Sequence, residues 1–89
     1  MQVIDNWAIV SGEVREVRAT ADHTTLVVYV SSAEDFEDFP NLFNWAKNNL
    51  LTVELPADAH APNIGAHISW RLRIVEPGSS EPHPSSLAV

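Results

Sequence analysis

The stretch "WAIVSGEVREVRA", residues 7–19, decides the fold of this chain. Valine and isoleucine recur along it and favour a β-strand, whereas Gly12 interrupts the run. Because an isolated glycine inside a strand is typical of a bulge or a sharp bend, we interpret the stretch as one long bent strand. In the alternative interpretation, Ser11 and Gly12 form a two-residue hairpin turn between strands at 2–10 and 13–20.

The phase of the apolar residues supports the bend. Val10 and Val14 fall on one face of an extended strand, whereas Val17 is out of step with them. A strand that keeps one face on the core must therefore change direction or register along this stretch.

Three further segments are predicted strands. "TTLVVYVS" (24–31) is rich in β-branched and aromatic residues, and "LLTVEL" (50–55) is ended by Pro56. "AHISWRLRIV" (66–75) alternates strictly, which predicts a half-buried antiparallel strand. The predicted core positions on these faces are Leu26, Val28, Val30, Ile68, Trp70, Leu72 and Ile74.

Between the predicted strands at 24–31 and 50–55 lies "SSAEDFEDFPNLFNWAKNNL", residues 31–50. Pro40 cannot occupy a helix interior, so we divide the segment into a turn at 33–38 and a helix from about Phe39–Pro40 to Asn48. Helical spacing then aligns Phe39, Phe43, Ala46 and Leu50 in one core-facing stripe, with Trp45 beside it and also expected in the core.

The predicted architecture is mainly β with one helix, arranged as a small antiparallel barrel or a strongly curved sheet. If Ser11-Gly12 is a hairpin, the order is β–β–β–α–β–β, which resembles that of the OB-fold, a five-stranded barrel closed by a helix. The glycine bend in the first strand and "VELPADAHAPNIGAHISWRLRIV" (53–75) are also similar to small OB-type barrels. The resemblance covers nearly all of residues 7–75, and it implies a surface for single-stranded nucleic acid, oligosaccharide or protein.

We expect one domain at 1–77 and a flexible tail at 78–89. The segment "EPGSSEPHPSSLAV" (76–89) has the proline, serine, glycine and glutamate content that is typical of disorder. A length of 89 residues agrees with a single domain.

The composition excludes several classes of protein. The chain has no cysteine, so disulfides, zinc–thiolate sites and a thiol nucleophile are impossible. It has no apolar run of membrane-spanning length and no signal-peptide pattern at its start, which predicts a cytoplasmic protein without membrane contact. Metalloprotease, hydrolase and phosphate-loop motifs are missing, and we interpret His23, His60, His67 and His83 as surface or loop residues. We therefore expect no catalysis, no cofactor and no metal.

The acidic and aromatic residues at the start of the 31–50 segment are the predicted binding surface. An aromatic ring surrounded by carboxylates suits a basic groove on a protein partner, since the ring supplies buried area and the acids supply electrostatic steering. With a net charge of −7, the whole chain favours such a partner. The candidate partner-binding residues of this non-catalytic interaction module, an adaptor or inhibitor, are Glu34, Asp35, Phe36, Glu37 and Asp38.

A different function uses the basic residues of the predicted strands. Arginines beside an exposed Tyr29 or Trp7 would hold single-stranded nucleic acid as OB-type surfaces do. The competing interpretation pairs these arginines across strands with Glu13, Glu16 and Glu54, and a continuous positive groove would favour nucleic acid over it. The candidate nucleic-acid-binding residues are Arg15, Arg18, Arg71 and Arg73.

Overall fold

The computed structural model describes residues 6–41, 43–76 and 79–83. This part of the chain contains five β-strands and one short 3₁₀ turn, Asn44–Ala46. The strands are β1 (Ala8–Ala19), β2 (His23–Asp35), β3 (Leu50–Pro56), β4 (His67–Glu76) and β5 (Ser79–Pro82).

The five strands form a small closed barrel in the order β1-β2-β3-β5-β4. Neighbouring strands are antiparallel except for β3 and β5, which run parallel. The alternating patterns of β2 and β4 supply the core: Leu26, Val28, Val30 and Leu72 are at most 1% exposed, as predicted. Trp70 and Ile74, which were also predicted in the core, are only partly buried and pack against it. The predicted mainly β class is confirmed, and the closed five-stranded barrel is consistent with the OB-like resemblance.

β1 is one continuous strand that pairs with β2 along one edge and with β4 along the other. The bend is confirmed and the hairpin is wrong, because the pairing with β2 shifts register between Ser11 and Gly12 and the strand continues. A second register shift follows between Val14 and Glu16. It explains the phase of Val17, which pairs with Leu26 and packs against the core after the shift.

The strand that closes the barrel lies in the segment predicted to be a tail. Ser79–Pro82 form β5, and the hydroxyl of the fully buried Ser80 donates to the carbonyl oxygen of Thr52 at 2.7 Å. The tail prediction for 78–89 is therefore corrected at 79–82, and the barrel extends beyond the predicted boundary at residue 77. Residues 84–89 lie outside the described part of the chain.

The segment between β2 and β3 forms one 3₁₀ turn where the sequence predicts a longer helix. β2 continues to Asp35, and the N–H of Asn48 already donates to the carbonyl of Val30 on β2, so the chain crosses back to β2 within residues 36–47. Phe43 and Ala46 are fully buried against the core, as predicted. Trp45 and Leu50 are 54% and 58% exposed, so their predicted burial was wrong.

Candidate binding surface

The acidic-aromatic segment, residues 34–39, lies where β2 ends and its following loop begins. Glu34 and Asp35 pair with Ile9 and Ala8 of β1, and their side chains are exposed. Glu37 and Asp38 are exposed in a turn that is closed by the backbone hydrogen bond from Phe39 N–H to the Phe36 carbonyl, 3.2 Å long. All four carboxylates therefore lie on one short exposed stretch.

Two phenylalanine rings lie among these carboxylates, and both are partly exposed. The rings of Phe36 and Phe39 stack with centroids 6.2 Å apart and planes 9° from parallel. The guanidinium carbon of Arg71, on β4, lies 4.4 Å from the Phe36 ring centroid. A shallow recess of about 230 Å³ is lined by Glu37, Asp38 and Phe39. Phe36 therefore packs on the outer wall of the barrel and is outside the buried core.

One asparagine ties this loop to the barrel. The side-chain amide of Asn41 donates to the Asp35 carboxylate at 3.1 Å and to the Ala33 carbonyl at 3.3 Å. Its amide oxygen accepts from the backbone N–H of Phe43 at 2.9 Å, immediately before the 3₁₀ turn. Because Phe43 is fully buried, the acidic-aromatic segment is anchored at both of its ends. The sequence pattern gives no signal for this role of Asn41.

The arginines that define the alternative function are largely paired with glutamates. Arg15 and Arg18 form ion pairs at 2.6 and 2.9 Å with Glu13 and Glu16, the expected glutamates, but the pairs lie along β1 and do not cross between strands. Arg73 binds Glu81 of β5 through two nitrogens. These pairs make the outer wall alternate in charge.

Glu54 was expected to pair with an arginine, and its contacts are different. Its carboxylate accepts a hydrogen bond of 2.8 Å from the Thr25 hydroxyl and lies 3.3 Å from Nε2 of His23. Three arginines also face aromatic rings: Arg15 faces Tyr29 at 5.0 Å, Arg71 faces Phe36, and Arg73 faces Trp7 at 5.2 Å.

Comparison with protein-family models, curated proteins and solved structures finds no match to this chain. Within residues 6–41, 43–76 and 79–83, no helix has the length and apolarity needed to cross a membrane. In the same part of the chain, no group of three or more histidine, aspartate and glutamate side chains is placed to hold a metal ion.

A second surface, which sequence reasoning missed, is a cleft of about 640 Å³ beside the β3–β5 seam. The sequence pattern does not predict this cleft, because its walls come from distant segments that meet only when the barrel closes. Trp7 forms one side, half-buried where the sequence predicts exposure, and its ring meets the ring of His83 edge-on at 5.1 Å. The residues that line this cleft are Trp7, Glu54, Leu55, Pro56, Arg73, Glu81, Pro82 and His83.

Proposed function

We propose that this protein is a non-catalytic protein-interaction module whose binding surface is the acidic-aromatic segment. The observation that carries the proposal is the arrangement of four exposed carboxylates around the partly exposed rings of Phe36 and Phe39. An OB-like barrel, for which the order β1-β2-β3-β5-β4 is the support, serves as the scaffold. Since a fold does not determine a function, the proposal depends on the surface alone.

The chemistry of the surface selects a basic partner. The carboxylates attract a positively charged groove over a distance of about a Debye length, ~8 Å at physiological salt, and a net charge of −7 adds to this field. The two rings then supply the apolar area that hot-spot residues bury at the centre of an interface. We place this binding in the cytoplasm, where a cysteine-free chain loses nothing to the reducing conditions.

The test compares the proteins captured from a native lysate by the wild-type chain and by variants of the segment. Phe36→Ala removes the ring, and the double variant Glu37→Gln, Asp38→Asn removes two charges at constant shape. Proteins that bind the segment are expected to be lost with both variants. Their capture by the wild-type chain should decrease as salt rises and should not change on nuclease treatment.

Matched controls alter the same side-chain types elsewhere on the surface. Trp45→Ala removes another exposed aromatic ring, and the double variant Asp22→Asn, Asp58→Asn removes two other exposed charges. Both controls are expected to keep the partner. Equal capture by the Phe36→Ala protein and the wild type, with a folded circular-dichroism spectrum, would reject the proposal.

A second function, binding of single-stranded nucleic acid, is favoured by the contacts of Arg15 with Tyr29 and of Arg73 with Trp7, which place the predicted arginines beside the predicted aromatic rings. Against it, Arg15, Arg18 and Arg73 are each paired with a glutamate. Fluorescence anisotropy with a labelled single-stranded oligonucleotide separates the two functions. If the protein binds nucleic acid, Arg71→Ala and Arg73→Ala should abolish binding of the oligonucleotide, and Phe36→Ala should leave it unchanged.

A further inference from the structure

The cleft beside the β3–β5 seam is open because these two strands pair only briefly. Within the described residues, Val53 and Ser80 are the residue pair that joins them. Beyond this pair, residues 54–56 of β3 and residues 81–83 at the end of β5 face each other across the cleft. Its volume of about 640 Å³ falls within the roughly 300–1,000 Å³ of ligand sites.

Two glutamates that line the cleft each use one carboxylate oxygen for contacts within the protein. Oε2 of Glu54 accepts from Thr25 and faces His23, whereas Oε1 of Glu81 accepts both hydrogen bonds from Arg73. The other oxygens, Oε1 of Glu54 and Oε2 of Glu81, accept no hydrogen bond from the residues that the structure describes. The side chains are 34% and 39% exposed, so a ligand in the cleft can reach them.

Apolar groups make up much of the remaining lining. Pro56 is exposed at the cleft, the buried Leu55 and Pro82 form its floor, and Trp7 adds an indole ring. Because proline has no backbone N–H, Pro56 and Pro82 make this seam a poor template for an added β-strand. The cleft is therefore suited to a side chain that enters it, and less to a peptide backbone that extends the sheet.

The indole of Trp7 is held in place by its neighbours. Asn6, which is 2% exposed, binds the backbone of Ile74 at both ends of its amide: Nδ2 donates to the carbonyl at 3.1 Å, and Oδ1 accepts from the N–H at 2.8 Å. The guanidinium of Arg73 faces the Trp7 ring at 5.2 Å. This side of the cleft is thus formed before any ligand arrives, which lowers the entropy that binding must overcome.

We propose that this cleft binds a lysine side chain of a protein partner. The aliphatic stem lies against the exposed Pro56, above the floor formed by Leu55 and Pro82, and the ammonium group donates to the remaining oxygens of Glu54 and Glu81. Two carboxylates line the cleft against one guanidinium, that of Arg73, which Glu81 already binds, so one negative charge is in excess and disfavours an anionic ligand. An ammonium group offers three donors at the end of an apolar stem. This site is separate from the acidic-aromatic segment and adds a second contact to the proposed function without depending on it.

The experiment follows the indole ¹H–¹⁵N resonance of Trp7, assigned with the Trp7→Phe variant, while the peptide acetyl-Gly-Lys-Gly-amide is added to the full chain. The same peptide with norleucine in place of lysine keeps the apolar stem and lacks the charge. A saturable shift is expected with the lysine peptide only. Glu54→Gln is expected to weaken binding of the lysine peptide about three- to five-fold, as loss of a partly exposed ion pair does. The amide oxygen of the glutamine can still accept the hydrogen bond from the Thr25 hydroxyl.

Glu13→Gln is the matched control, since Glu13 is a partly exposed glutamate that pairs with Arg15 on β1. It should leave the affinity for the lysine peptide unchanged. An equal shift with the norleucine peptide, or equal lysine affinity in the Glu54→Gln protein, overturns the proposal. If Glu54→Gln does not fold, Glu81→Gln provides the same comparison. Phe36→Ala should be silent in this titration, so failure of the lysine site and failure of the proposed function are distinguishable.

Discussion

Substitution of Gly12 by alanine tests why β1 bends where it does. A Cβ atom at this position would overlap the backbone carbonyl oxygen of Tyr29 and lie 2.9 Å from Cγ1 of Val28. Gly12 faces Val30 on β2 and Ile68 on β4 at the same point, so β1 is confined on both edges. The overlap is with backbone, and relief requires β1 and β2 to separate.

We expect Gly12→Ala to lower the free energy of unfolding by about 3 kcal/mol. Overpacking a well-packed interior costs roughly 1–3 kcal/mol, and a clash with a paired backbone falls at the upper end of that range. A domain of this size has a stability of roughly 5–10 kcal/mol, so the loss is a large fraction of it. Urea denaturation, monitored by circular dichroism, should show this loss as a lower midpoint, with an unchanged dependence of the unfolding free energy on urea concentration.

The other glycine of known geometry, Gly65, is the matched control. A Cβ atom there meets nothing within 4 Å, but its φ of +92° is unfavourable for other residues. Gly65→Ala should therefore cost only about 1–2 kcal/mol. Gly65→Asn should recover part of the lost stability, because asparagine tolerates positive φ. Gly12→Asn should lower the free energy of unfolding more than Gly12→Ala does. A Gly12→Ala protein as stable as the wild type would refute the close-approach explanation.

Three further predictions concern buried contacts, each measured by urea denaturation. Phe43→Ala should cost about 3–5 kcal/mol, whereas Trp45→Ala, two residues away and 54% exposed, should change stability by less than about 1 kcal/mol. Asn6→Ala should cost about 2 kcal/mol, since the backbone N–H and carbonyl of Ile74 lose their partner, and should also shift the Trp7 indole resonance. Ser80→Ala should cost about 1 kcal/mol by removing the hydroxyl that joins β5 to β3, and a neutral result would contradict that role.

The sequence predicts those strands whose faces differ in polarity. Ile68 and Leu72 alternate with His67 and Arg71 in β4, and the structure buries the first pair and leaves His67 exposed. This period of two follows directly from the pleat of a strand, so burial can be inferred before the partners of the strand are known.

β5 could not be predicted because nothing in its composition distinguishes it from a loop. Ser80 and Pro82 face the interior, and serine and proline are residues that strands usually lack. Their burial results from the last step of closure, in which Ser80 fills a narrow position and satisfies its hydroxyl on β3. The cleft is hidden for the same reason, since Trp7, Glu54 and Glu81 are distant in sequence and meet only in the closed barrel.

The helix prediction failed through competition between two patterns in one segment. The spacing of Phe39, Phe43 and Ala46 suits a helix, but the N–H of Phe39 closes a turn on the Phe36 carbonyl, and the chain must return to β2 before β3 begins. Asn48 then adopts a φ of +65° and donates its N–H to the carbonyl of Val30, which leads the chain into β3. Long-range pairing thus overrides local propensity, as it commonly does for short helical segments.

The two proposed surfaces are neighbours through β4. Arg71 stacks on Phe36 in the acidic-aromatic segment, and Arg73 stacks on Trp7 beside the cleft. Residues two apart on a strand share a face and lie about 7 Å from each other. One basic partner can therefore contact both surfaces, and the second contact forms at a high effective concentration once the first is made. In that case the double variant Phe36→Ala, Glu54→Gln should bind the partner more weakly than either single variant. The affinity for a short lysine peptide should fall with Glu54→Gln and stay unchanged with Phe36→Ala.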